Sequence, residues 1–361
     1  MLYKYQFIKH QKLRELNFHF LYFIRKIKDV KKTTKFKPEI FFHSSFIRNN
    51  KIAPKGKENS TLEVKFKAFF DIFKKLSQDE KNEFLNLIIL SQKIHLFFEK
   101  PNNTEAIVLH SSNIKRLLNG SNSFSDLMDA LWNYLKSPNA WEIDKHYKIF
   151  YDSIPDSKMC PFCGLEELSK PIFRRADYDH IANKSKYPIS SIINKNLAPT
   201  CDKCNKDFKK AKDVLFDKIG NKRIFSYPFV FNSPFINSNI SFDFLGSIHP
   251  ETDLNNKSGK WVVNISPNSD FILSWDHIYQ IKKRYANSIN YKKWQKELIY
   301  SAKLKHSILT QKLLKEYIKN YKQTFNPSSL EVEYHIKFAY YEFLEQGMNN
   351  VLFNQLNTMT T

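Results

Sequence analysis

A chain of 361 residues with 42% hydrophobic and 15% aromatic residues has the composition of a folded protein, and its length exceeds what one core serves comfortably, so two or three units are expected. The formal net charge of +21 excludes an acidic surface and is concentrated, with net +11 in residues 1 to 58 and net +10 in residues 282 to 322. No apolar run nears the roughly 18 residues of a membrane span, and the short stretch FHFLYFI, bracketed by Lys and Arg, precedes no small-residue cleavage site, so a cytoplasmic protein without a signal peptide is expected.

Residues 1–58 read as a basic helical N-terminal arm, with apolar residues at helical spacing through HQKLRELNFHFLYFIRKIKDVKK, and the polar stretch NNKIAPKGKENS reads as a linker. Residues 59–156 read as a helical domain. Within it Ser77 and Glu80 form a capping box, Pro101 stops the helix so opened, and SFSDLMDALWNYLK makes another helix before Pro138. Residues 157–216 change character and carry all four cysteines. In residues 217–270, ISFDFLGSIHP and GKWVVNISP alternate apolar and polar residues across a turn-rich ETDLNNKSGK, which predicts a β-hairpin. Residues 271–361 return to helix, basic at 282–322, and end in a frayed NTMTT. The fold class expected is α+β and mostly helical.

The cysteines fall in two C-x-x-C pairs, Cys160 with Cys163 and Cys201 with Cys204. Two short turns that each offer two thiolates suit a tetrahedral Zn²⁺ site of the closed, structural kind. A redox pair is the rival reading, but it calls for one C-x-x-C at a helix start in a βαβ unit, and no such pattern surrounds these.

Between the pairs, FRRADYDHI reads as a strand, NKNLAPT as a short second strand and DKCNKDFKKAKDVLF as a helix. This order of strand, loop, strand and helix around a metal, with Asp179-His180, then Asn196 sixteen positions after the His and Asn205 nine further on, resembles the HNH endonuclease family and its ββα-metal module. The resemblance runs from Cys160 to Asp213. It implies that His180 is the general base, that Asn196 orients the His loop, and that Asp179 and Asn205 hold one catalytic Mg²⁺ or Mn²⁺. Asp177, two residues before Asp179, would share its strand face and rivals it as the ligand. Asn205 stands where the family more often has His, which favours a hard cation. Lys206, Lys209, Lys210 and Lys212 on the final helix are candidate phosphate contacts, with an ordinary solvated face as the bland alternative; Arg174 and Arg175 invite the same caution. A second Asp-His, Asp276-His277, has no such frame after it and reads as structural.

The function expected is metal-dependent hydrolysis of DNA phosphodiester bonds, leaving 5′-phosphate and 3′-hydroxyl ends as the family implies, with the basic segments gripping the polyanion. By analogy with other single-chain HNH proteins, a restriction or anti-phage effector is the biological reading, with a mobile-element nuclease as its neighbour. The rivals are a non-catalytic zinc-stapled nucleic-acid-binding protein and a cleavage module recruited by a protein partner.

Overall fold

Helical spacing of apolar side chains decides how the chain begins. The computed structural model describes residues 5–48, 61–99, 117, 124–136, 143–154, 158–173, 175–225, 227–229, 239–243, 245–250, 260–306, 308–325 and 334–358. In it the helix Gln11–Ile27 buries Leu13, Leu16, Phe20, Phe23, Ile24 and Ile27 along one stripe and leaves Arg14, Arg25 and Lys26 exposed. The N-terminal segment therefore docks on the chain's own core. His10 caps the helix by accepting the Leu13 N–H at 3.3 Å, and its own N–H donates to Asn194 Oδ1 at 2.9 Å, close in sequence to the second cysteine pair.

Phenylalanines knit the helices that follow. Phe23 stacks on Phe42 and meets Phe66 edge-on, with centroids 5.2 and 4.7 Å apart, and Phe69 and Phe84 both present edges to Phe124, the first residue of the helix Phe124–Lys136. The predicted capping box is present: Glu80 N–H donates to Ser77 Oγ at 3.2 Å and Ser77 N–H to Glu80 Oε2 at 2.8 Å, opening the helix Gln78–Ser91. The segment around Pro101 and Pro138 lies outside the described residues.

Among the described residues the sheets are two, each of two strands. β1 (Tyr178–His180) pairs antiparallel with β2 (Leu197–Pro199), placing His180 opposite Leu197. β3 (Asn239–Phe242) pairs antiparallel with β4 (Val263–Ser266), the hairpin that the alternation predicts; most of its turn lies outside the described residues. Buried apolar side chains from Tyr5 to Leu356 join in one cluster, and among the described residues no helix is long and apolar enough to cross a membrane.

Three elements of the cysteine-bearing region are shorter than expected, the second strand among them, because Asn194–Asn196 of NKNLAPT form a 3-10 turn before β2 begins. The strand predicted over FRRADYDHI is only Tyr178–His180, because its partner is three residues long. The helix predicted to run on through Phe216 is a single π-helical element, Lys203–Lys209, closed by the Lys210 N–H on the Asn205 carbonyl at 3.0 Å. Lys210 has φ +49° with ψ −124°, a positive-φ backbone outside the helical region that ends the element.

Candidate functional site

The two cysteine turns meet. The four Sγ atoms lie within 4.8 Å of one another and all four residues are buried. Cys163 and Cys201 Sγ are 3.8 Å apart, which matches the roughly 3.8 Å sulfur–sulfur edge that bonds of ~2.3 Å to a tetrahedral ion would give. Backbone N–H groups point at the sulfurs, Leu165 on Cys163 at 3.4 Å, Cys201 on Cys160 at 3.5 Å and Cys204 on Cys201 at 3.4 Å, as donors do around thiolates that hold a metal. The group could hold a metal ion, and its all-sulfur donor set suits a soft, tetrahedral one. Burial pushes the Cys160 and Cys204 thiols well above their ordinary value. Burial acts on Cys163 too, but bonds from the three neighbouring thiols and the Arg284 charge overcome it and hold that thiol well below.

Sequence periodicity did not reveal what lies behind these turns. The helices Asp270–Tyr279 and Ile281–Asn287, separated by Gln280 in the left-handed region at φ 53°, carry the supports. Trp275 Nε1 donates to the Phe162 carbonyl and the Tyr285 hydroxyl to the Cys163 carbonyl, each at 2.6 Å. Arg284, buried and stacked 4.4 Å from the Phe208 ring centroid, donates to Cys204 Sγ at 3.3 Å. An arginine inside the basic 282–322 segment thus faces a thiol. In the second Asp-His, Asp276 Oδ1 accepts the Lys282 N–H at 2.8 Å and His277 is exposed on its helix.

His180 ends β1 in a buried position, with its Nε2 3.0 Å from the Ser191 carbonyl and its ring edge-on to Trp132 at 4.4 Å. A carbonyl only accepts, so Nε2 carries the proton and Nδ1 is the basic nitrogen. Asn196 is fully buried and stitches the loop that follows: its Oδ1 accepts the Ala182 N–H at 2.8 Å, and its Nδ2 reaches the Ala182 carbonyl at 3.0 Å and the Ser190 carbonyl and hydroxyl at 3.1 Å. One amide thereby ties the residues after His180 to those before its carbonyl partner. Trp132 is a contact no local motif announces, since it comes from the distant helix Phe124–Lys136, which Lys184 also grips through Asp129.

Of the four lysines expected on a solvated face, Lys209 and Lys212 depart from that expectation, while Lys206 and Lys210 are exposed. Lys209 is buried, not solvent-facing; its Nζ donates to Asp179 Oδ1 at 2.8 Å and to the His180 carbonyl at 2.7 Å. Lys212 is spent on the carbonyls of His277 and Ile278 at 3.3 and 2.8 Å, closing the end of a helix. Lys206 lies 2.9 Å from Asp177 and 3.3 Å from Asp202. Lys210 alone of the four is exposed with no side-chain partner among the described residues. Arg175 pairs with Asp144 at 2.9 Å and lies 4.0 Å from Asp177, while Arg174 lies outside the described residues.

A divalent ion does not fit Asp179 as it stands. One carboxylate oxygen is taken by Lys209; the other is sealed from solvent and has no partner among the described residues. Burial raises the carboxyl's pKa against the pull of the Lys209 charge. Asn205 is half-buried, and its side chain makes no hydrogen bond among the described residues. Compared with known proteins, the chain matches no family model, and no curated protein or solved structure is detectably similar to it.

Proposed function

We propose that this chain is an HNH-type nuclease that hydrolyses DNA phosphodiester bonds, with a structural zinc ion in the four-cysteine group and His180 as general base. The observation that carries this reading is the held imidazole: Nε2 donates to the Ser191 carbonyl, and Asn196 fastens the loop between them. With its proton on Nε2, the ring takes a proton from water at Nδ1 as the water oxygen bonds to phosphorus and the P–O3′ bond breaks. An imidazole with a near-neutral ordinary pKa suits that task. Exposed cations of the N-terminal segment, among them Lys9, Arg14, Arg25 and Lys26, supply grip on the phosphate backbone without reading bases.

One observation favours a second reading. His180 and Asp179 are both buried, and the lysine nearest them is turned inward, as in a zinc-stapled binding module without chemistry. Incubation of the purified protein with supercoiled plasmid, with Mg²⁺, with Mn²⁺ and with chelator, separates the two. Wild type should nick, His180→Ala should lose about 10²-fold or more in rate with zinc content and DNA binding retained, and His277→Ala should cut normally. Wild type that binds DNA and never nicks it makes the chain a binding module.

A further inference from the structure

The cation beside Asp179 is already in place, and it belongs to the chain. Lys209 and Asp179 form an ion pair with side-chain exposures of only 2% and 5%, in which the ammonium also takes the His180 carbonyl. An ammonium has three donors, and two are used on these oxygens, while Asp179 Oδ2 stays buried without a partner among the described residues. The carboxylate is neutralised and only half satisfied.

We propose that Lys209 is the resident counter-ion of Asp179, and that a divalent metal ion gains this carboxylate only by displacing it. The two cannot share the site, because an ammonium and a divalent ion on one carboxylate repel at close range in a medium that screens little. A harder ion would satisfy what the ammonium leaves open, since it takes several oxygen ligands and prefers carboxylates. Asn205, one turn earlier on the same π-helical element, holds an uncommitted amide oxygen. Lys209 is the last residue of that element, directly before Lys210 with its positive φ. This inference rests on the HNH reading for its choice of ligand, and its test does not use cleavage.

The experiment follows free Mn²⁺ by electron paramagnetic resonance during titration of the zinc-loaded full chain. Lys209→Met should bind about one Mn²⁺ at least tenfold more tightly than wild type, and adding Asp179→Asn should abolish the gain. In wild type, reductive methylation mapped by mass spectrometry covers the case in which Lys209→Met does not fold. Lys209 should be shielded without Mn²⁺ and label at least fivefold faster at saturating Mn²⁺. Lys81, equally buried with its Nζ on the Val30 carbonyl, should not change. Equal Mn²⁺ affinity in wild type and Lys209→Met, a gain that survives Asp179→Asn, or flat labelling of Lys209 would each overturn the proposal. A chain that shows the expected competition and never nicks DNA sinks the nuclease reading and leaves the competition standing.

Discussion

Asn196 shows how much one buried amide can hold. Its two polar atoms make four hydrogen bonds to three backbone groups and one hydroxyl, all of them shielded from solvent. Each backbone group left bare costs about 1 kcal/mol or more, so Asn196→Ala should lower unfolding stability by roughly 2–4 kcal/mol in urea titrations. Asn196→Asp should do no better, because an ionised carboxylate would face the Ala182 and Ser190 carbonyls with no proton to give. A variant within about 0.5 kcal/mol of wild type would mean that the loop is held by something else. The pairing of Asn196 with the loop after His180 was readable because both lie in one short stretch of chain. The role of Lys209 was not: four lysines near one another read as a solvated face, and only a carboxylate across the sheet turns one of them inward.

Among the elements, the cysteine turns depend on parts distant in sequence. Local signals found the capping box at Ser77 and the pairing of β3 with β4, since both arise from neighbours along the chain. They missed the break at Gln280, because a glutamine in the left-handed region has no sequence signature. They missed Trp275, Tyr285 and Arg284 as supports for the same reason: periodicity marks which face is buried and not what it meets. These contacts couple the four-cysteine group to the helices Asp270–Tyr279 and Ile281–Asn287. If zinc binding contributes to folding, its loss should be felt there. Elemental analysis should find about one zinc per chain, and Cys201→Ser should lose it. Amide hydrogen exchange should then quicken across 270–287 as well as beside the cysteines. Unchanged protection at 270–287 in zinc-free protein would show that these helices stand without the knuckle.

Across the whole molecule, buried and half-buried histidines join segments far apart in sequence. His10 fastens the N-terminal helix to Asn194, His95 meets Lys195 Nζ at 3.2 Å, and His249 Nε2 lies 2.9 Å from the Tyr340 hydroxyl and 2.8 Å from Gln295 Nε2. Burial lowers all three to about 4, with the neighbouring His146 adding to the effect at His10 and Lys195 at His95. A histidine lowered from its ordinary 6.5 is held neutral by the fold, so its contribution is fully present above 6.5 and is lost as pH falls from there toward about 4. For His249, which is almost completely buried, the shift corresponds to roughly 3 kcal/mol. Urea unfolding at steps from pH 7 to pH 5 should therefore show stability falling steadily. His249→Gln, which cannot take up the proton, should flatten that slope by up to about 1.4 kcal/mol per pH unit. A metal ion held by the four cysteines would be released in acid from both proteins alike, so the difference between their slopes isolates the imidazole. Parallel slopes would mean that His249 gains its proton in the folded chain without loss.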